Sequence, residues 1–303
     1  MAKKILLTGS NGLLGQKLVE LISQDKNYEL IATSRGENRL SNTTGYTYHP
    51  LDITDKEDID RVMDKFKPEF VINSAAMTNV DQCETLKDEC WQLNVRAVEY
   101  LVEACLTHHS FLLHLSTDFI FDGENGPYDE EATPKPISYY GSSKLAAERT
   151  LMKSKIRWSI ARTVLVFGIA EDMSRTNIVL WVKKSLEDKK TIQVVNDQWR
   201  TPTLAEDLAE GCFLIIKKEA TGIYNISGKD FLSPYQMAIQ TADFFGLDKK
   251  YIVETDSTKF TQPAKRPPKT GFIITKAEQK LDYKPHTFKE GIALLAKQVS
   301  SIK

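Results

Sequence analysis

Cysteine is scarce and poorly spaced for chemistry: Cys83, Cys90, Cys105 and Cys212 are all that the 303 residues carry, and none forms a C-x-x-C pair. No histidine stands near them at zinc-ligand spacing. His49, His108, His109, His114 and His286 are scattered, so structural roles are expected for them and no metal site is predicted. Free thiols in a reducing compartment follow. An excess of one charge is also missing, since Lys+Arg number 40 against Asp+Glu 41. That balance removes the global field that would gather nucleic acid or an anionic membrane, and leaves only a local cluster to hold an anionic ligand. Long apolar runs are absent too. None approaches the roughly 18 residues of a membrane span, and the apolar run in MAKKILLTGS is too short for a signal peptide. The expectation is a cytoplasmic protein with no nucleic-acid and no membrane partner. A hydrophobic fraction of 41% supplies core for one large α/β domain or two smaller ones.

Apolar runs alternate with helical periods through the first half. Lys4–Thr8, Leu30–Thr33, Tyr46–Leu51, Phe70–Asn73, Phe111–Ser116 and Trp158–Thr163 read as strands. Trp91–Cys105 reads as one long helix, and another runs from Tyr140. Such alternation predicts parallel pairing through crossovers: a Rossmann-type, doubly wound α/β sheet. After Phe167 the rhythm loosens, and helices over Asn177–Leu186, Leu204–Lys217, Pro234–Phe245 and Lys289–Val299 surround short strands at Thr191–Val195 and Ile223–Ile226. Proline forbids regular helix in QPAKRPPKT, Gln262–Thr270. The expected division is a cofactor domain at 1–166, rejoined by part of 203–218, and a smaller α/β substrate lobe at 167–303.

The first strand runs into TGSNGLLG, where Gly9, Asn11, Gly12, Leu13 and Gly15 precede an amphipathic helix. Glycines here permit a tight turn and close backbone approach to a pyrophosphate, and the helix start offers free N–H groups to it. At the second strand's end stand Ser34 and Arg35, where an NAD site would place an acidic residue. A guanidinium suits a 2′-phosphate, so NADP(H) is the expected cofactor, with NAD(H) left open. Arg35 could equally be a solvated surface charge. Asp52 and Ile53 could contact adenine, or Asp52 could cap a helix.

Tyr140 and Lys144 lie four apart in YYGSSKLAAE, on one helical face. An ammonium beside a phenol favours phenolate, which suits tyrosine as a general acid to a carbonyl oxygen. Thr117, at the carboxyl end of a strand, could hydrogen-bond the same oxygen. Trp91 and Trp181 fall at apolar helical positions and read as core, and the acidic segment Asp129–Glu131 as exposed loop.

Together these segments resemble the extended short-chain dehydrogenase/reductase superfamily. NSAAMTNVDQCE, STDFIFDG, YYGSSKLAAE, NDQWRTPT and AKRPPKTGFIITKAEQKL resemble the dTDP-4-dehydrorhamnose reductase family in particular. The resemblance implies NADPH-dependent reduction of the C4 ketone of a nucleotide-linked 4-keto-6-deoxy sugar, with another 4-keto sugar nucleotide as the alternative. It implies catalytic roles for Thr117, Tyr140 and Lys144, with Lys144 also on the nicotinamide ribose. Ser74, Ala75, Ala76 and Thr78 would wall the cofactor, and Val80 and Asp118 would lie near the sugar. Two departures stand out: Leu165 replaces the family's tryptophan, and Trp199-Arg200 stands where a small residue is usual. Arg200 could bind a phosphate or sugar hydroxyl, or line the lobe interface. Arg266 could contact the diphosphate or be a plain surface arginine. The regulatory β subunit of methionine adenosyltransferase shares many of these motifs, which keeps a non-catalytic NADP-binding regulator as a second reading. A homodimer also stays open.

Overall fold

A computed structural model describes residues 2–173 and 176–301. Its strands are β1 (Lys3–Thr8), β2 (Tyr28–Ser34), β3 (Tyr46–Pro50), β4 (Phe70–Asn73), β5 (Phe111–Thr117), β6 (Trp158–Thr163), β7 (Val166–Phe167), β8 (Ile192–Val195), β9 (Thr203–Leu204), β10 (Gly222–Asn225) and β11 (Ile252–Thr255). Its helices are α1 (Leu13–Ile22), α2 (Lys56–Phe66), α3 (Val80–Thr85), α4 (Lys87–Trp91), α5 (Ala97–His108), α6 (Tyr139–Lys153), α7 (Ile178–Glu187), α8 (Ala205–Lys218), α9 (Pro234–Phe245), α10 (Thr275–Leu281) and α11 (Phe288–Ser301). Among the described residues no helix is long and apolar enough to cross a membrane.

Seven strands form one parallel sheet in the order β10-β6-β5-β4-β1-β2-β3. Strands buried on both faces are largely apolar, and FVIN and FLLHLST are so except for Asn73, His114, Ser116 and Thr117 toward their carboxyl ends. Alternate residues of β1 serve opposite faces. Ile5 and Leu7 join the core beneath α1 and α8, while Leu6 joins Ile59, Val98, Leu101 and Leu151 on the other side. Strand order reverses between β1 and β4, which opens a crevice at their carboxyl ends. From Ala205 to Asn225 the chain returns to this sheet, α8 packing on α1 and β10 pairing with β6. The remaining elements pack around α7, α9 and α11, with β8 paired to β11.

Two sequence expectations change. The single helix expected over Trp91–Cys105 is instead α4, a π-helical turn at Gln92–Arg96, and α5. Periodicity could not show this, because one widened turn leaves the apolar spacing on either side intact. Trp181, expected in the core, is 36% exposed.

Candidate active site

Gly9, Ser34, Ser74 and Thr117 stand at or just beyond the carboxyl ends of β1, β2, β4 and β5. Gly9 ends β1 with φ of +73°, and a Cβ there would sit 2.9 Å from both the Ala75 nitrogen and Ser74 Oγ. At Gly15 a Cβ would meet the Gly9 carbonyl oxygen at 2.1 Å, so α1 touches the turn backbone to backbone. Gly12 caps α1 without a side-chain hydrogen bond, so no cap side chain satisfies the first-turn N–H groups. The buried hydroxyls of Ser10 and Ser116, at the ends of β1 and β5, have no hydrogen-bond partner. A dinucleotide's phosphates fit such a cradle.

Around it, Asn11 donates to the Glu37 carbonyl at 2.8 Å and accepts the Arg39 N–H at 3.0 Å, which fastens the loop after β2 to the turn. Ser34 is half-buried at the strand end, and Arg35 is exposed beside it. Arg39, unsignalled in the motifs, adds a second exposed cation to that loop. Asp52 Oδ1 accepts the Thr54 N–H and hydroxyl at 2.9 and 2.7 Å, so much of this carboxylate is used in its own turn. The cap of α2 is Asp55, and Ile53 is buried in the core. Ser74, Ala75 and Ala76 are half-buried at the end of β4, and Thr78 is exposed.

Ser138 caps α6 through the Gly141 N–H at 3.1 Å and so sets where Tyr140 begins its turn. Tyr140 is buried against Cys83, Cys90 and Phe119. Burial raises its phenol above the usual tyrosine range, and a hydrogen bond with Thr117 works against that rise. Lys144 Nζ donates to the Leu115 carbonyl at 2.6 Å and lies 3.1 Å from His114 Nε2. Burial lowers its ammonium to about 8, with Glu148 opposing. The ammonium expected beside the phenol is thus engaged by the β5 backbone and by His114. His114 is itself held well below the ordinary imidazole range by burial and then by Lys144. Its Nδ1 lies 3.1 Å from Asn73 Nδ2, and Asn73 accepts the Thr8 hydroxyl at 2.6 Å, joining the lysine to the strand that carries the glycine turn.

Asn94 is the residue the motifs left unread. The π turn carries it, and its side chain accepts the Met77 N–H at 2.8 Å and donates to Ser143 Oγ at 3.0 Å. It therefore pins the segment ending at Met77 to α6. A buried asparagine inside an apolar helix was the available signal.

The second half contributes a cavity of about 390 Å³ lined by Asn177, Trp181, Val195, Gln198, Phe260 and Arg266. Arg266 meets it while paired to Asp81, at 3.0 and 2.7 Å from the two carboxylate oxygens. That guanidinium holds the Asp81 carboxyl below the usual range. Val80, the first residue of α3, is half-buried next to Asp81. Leu165 is 41% exposed with φ of +38°, a strained setting held by the Thr203 N–H on its carbonyl at 3.2 Å. Trp199 is half-buried against Phe231. Asp118 and Arg200 are buried within protein, away from the cavity wall. Of the acidic loop, Asp129 and Glu131 are exposed, whereas Glu130 turns inward to accept the Asn225 N–H at 2.9 Å. Among the described residues no group of three or more His, Cys, Asp or Glu side chains could hold a metal ion.

Residues 3–301 match the family model described as RmlD substrate binding domain. A dTDP-4-dehydrorhamnose reductase of Aggregatibacter actinomycetemcomitans is 31% identical over 301 residues, covering 95% of this chain and 97% of its own. The structure of a dTDP-4-dehydrorhamnose reductase from Clostridium acetobutylicum superposes with a TM-score of 0.86 at 27% identity, covering 98% of this chain and 99% of its own. That of the Bacillus anthracis dTDP-4-dehydrorhamnose reductase, in complex with NADP, superposes at 0.84 with 24% identity, covering 98% and 100%.

Proposed function

The chain belongs to the RmlD substrate binding domain family, and on that premise we propose that it reduces the C4 ketone of a dTDP-linked 4-keto-6-deoxy sugar with NADPH. The observation that carries this reading is Tyr140 meeting Thr117, with Lys144 on the Leu115 carbonyl of the same strand and linked through His114 and Asn73 to Thr8, which precedes a glycine turn packed too closely at Gly9 and Gly15 to admit a side chain. Residues 1–166 with the returning segment hold the cofactor, and the rest of 167–303 holds the sugar nucleotide.

The backbone of Gly9, Asn11, Gly12, Leu13 and Gly15 receives the pyrophosphate, and Ser34 and Arg35 the 2′-phosphate. Asp52 and Ile53 flank the adenine, and Ser74, Ala75, Ala76 and Thr78 wall the crevice. When bound, the dinucleotide supplies the hydride. Tyr140 enters the reaction protonated, because burial disfavours its phenolate, and it donates its proton to the ketone oxygen. Lys144 holds the nicotinamide ribose and offsets the charge left on Tyr140. Val80, Thr117 and Leu165 face the sugar, and the cavity lined by Gln198 and Arg266 takes the nucleotide, with Trp199 next in sequence to its wall. With Leu165 in place of a flat aromatic ring, the sugar meets an aliphatic contact.

The test is loss of NADPH absorbance with a panel of nucleotide-linked 4-keto sugars, run beside Tyr140→Phe. Oxidation is expected with the dTDP-linked ketone, and a fall in turnover of about 10²–10⁴-fold in the variant, with NADPH binding retained. Near-normal turnover by Tyr140→Phe would remove tyrosine from its role. NADPH binding without oxidation of any sugar would replace the enzyme by a cofactor-binding regulator.

A further inference from the structure

A buried charge cluster joins the two halves directly behind the reacting groups. Asp118 is 3% exposed and Arg200 5%. Arg200 Nη1 donates to the carbonyls of Trp199 and Pro268 at 2.8 and 3.0 Å, and Nη2 donates to that of Pro267 at 2.6 Å. Its Nε stands 3.6 Å from Asp118 Oδ2, which also accepts the Thr270 hydroxyl. The other carboxylate oxygen, Oδ1, accepts the Thr117 hydroxyl at 3.0 Å. A buried carboxylate survives only with such partners. Here they come from the segments 199–200 and 267–270, both far from Thr117 in sequence.

Thr117 has one hydroxyl hydrogen and two neighbours that want it. Asp118 takes it while Tyr140 is a neutral phenol. Once Tyr140 has given its proton to the ketone, the phenolate oxygen becomes the stronger acceptor. The same hydroxyl then turns to it, with no proton leaving Thr117. Thr117 already meets Tyr140 in the resting protein, and a contact that strengthens as charge develops lowers a barrier more than it tightens ground-state binding. Asp118 can release the bond because Thr270 and Arg200 keep the carboxylate compensated.

We infer that Asp118 is a positioning residue, anchored by Arg200 and Thr270 from the second half of the chain, that holds the Thr117 hydroxyl in reserve for the Tyr140 phenolate. The inference rests on the reductase reading and gives a use to the arginine that departs from the family pattern. Arg200 serves the reaction from inside the protein, through Asp118 and Thr117.

The experiment combines a double-mutant cycle with amide exchange. Arg200→Met and the gentler Thr270→Val should each lower kcat, by about tenfold and about threefold, while KM for NADPH stays within about twofold. In a Thr117→Val background the same changes should cost less than about twofold, because the group they act through is gone. Equal losses in both backgrounds would mean a merely structural role and overturn the inference. The Phe119 N–H, which donates to Thr117 Oγ1 at 3.3 Å, reports the side chain without turnover. Its exchange should quicken in Arg200→Met and Thr270→Val toward the Thr117→Val value, and unchanged exchange in both would also overturn the inference. If the wild-type chain oxidises NADPH with no sugar nucleotide, the reductase reading fails by itself. The exchange comparison then decides whether the anchor exists.

Discussion

The two halves of the site are built on opposite plans. On the proposed cofactor side polar groups are left without side-chain partners: a glycine turn, a helix start without a side-chain cap, and buried hydroxyls without partners. On the proposed substrate side the charged groups are already matched within the protein, Arg200 with Asp118 and Arg266 with Asp81. A phosphate cradle built from N–H groups needs no counter-charge until its ligand arrives. A guanidinium near a low-dielectric cleft needs a carboxylate at once. The first plan therefore tolerates no added atom, whereas the second tolerates exchange of partners.

The largest effect expected from this contrast follows a single methyl group. Gly15→Ala places a Cβ 2.1 Å from the Gly9 carbonyl oxygen, so the turn must move. We expect destabilisation of about 1–3 kcal/mol, with NADPH affinity falling at least about tenfold. Gly228 offers a matched control in the other half, because a Cβ there would lie 2.1 Å from the Pro202 carbonyl oxygen. Gly228→Ala should cost comparable stability yet leave NADPH affinity within about twofold. Thermal unfolding beside fluorescence titration with NADPH checks both. Equal loss of affinity in the two variants would erase the distinction between the halves.

The same contrast explains what could be read without coordinates. The glycine turn, the Y-x-x-x-K pair and the strand-end threonine are local patterns, each fixed by a few neighbouring residues at the end of one strand. Strand limits fell within a residue or two for the same reason, since a strand buried on both faces is a bounded apolar run. Partners far apart in sequence were not legible. Arg266 meets Asp81 across 185 positions, and Thr270 meets Asp118 across 152, with nothing in either segment to name the other. His114 read as a structural histidine, because only the fold brings Lys144 within 3.1 Å of it. The return of GIYN to the main sheet was hidden too, since four residues pair equally well with any open edge.

A smaller effect is expected from pH, and it belongs to the cofactor side. Tyr140 is held above the ordinary phenol range and stays protonated as pH rises through neutrality. Lys144, lowered to about 8, loses its charge first. Because kcat/KM reports the free enzyme, it should fall with rising pH through a midpoint near 8, about tenfold per pH unit beyond it. The stability sign is separate. A lysine whose folded pKa lies below its unfolded value binds its proton less well when folded. Its contribution is therefore present above the ordinary value of 10.5 and lost as pH falls through about 8. Lys144→Met should accordingly abolish the alkaline limb together with most turnover, while raising the melting temperature at pH 7. A wild-type profile flat to pH 10 would show that the ammonium's charge is not needed.

The least effect is expected where the substrate side is most exposed. Asp81 and Arg266 retain 34% and 20% of their side-chain exposure, so solvent screens the pair. Asp81→Asn should cost at most about 1 kcal/mol of stability at pH 7. The Asp81 carboxyl is held below its ordinary value, so this contribution is present at neutral pH and is lost only as pH falls through the lowered folded value. The informative quantity is the sugar-nucleotide KM. Freed from its carboxylate, Arg266 no longer has to leave one anion to meet another, so KM for an anionic substrate should fall by about two- to fivefold while KM for NADPH stays put. A rise in the sugar-nucleotide KM would instead mean that Asp81 holds Arg266 in its working position, and the substrate side would then be as rigidly set as the glycine turn.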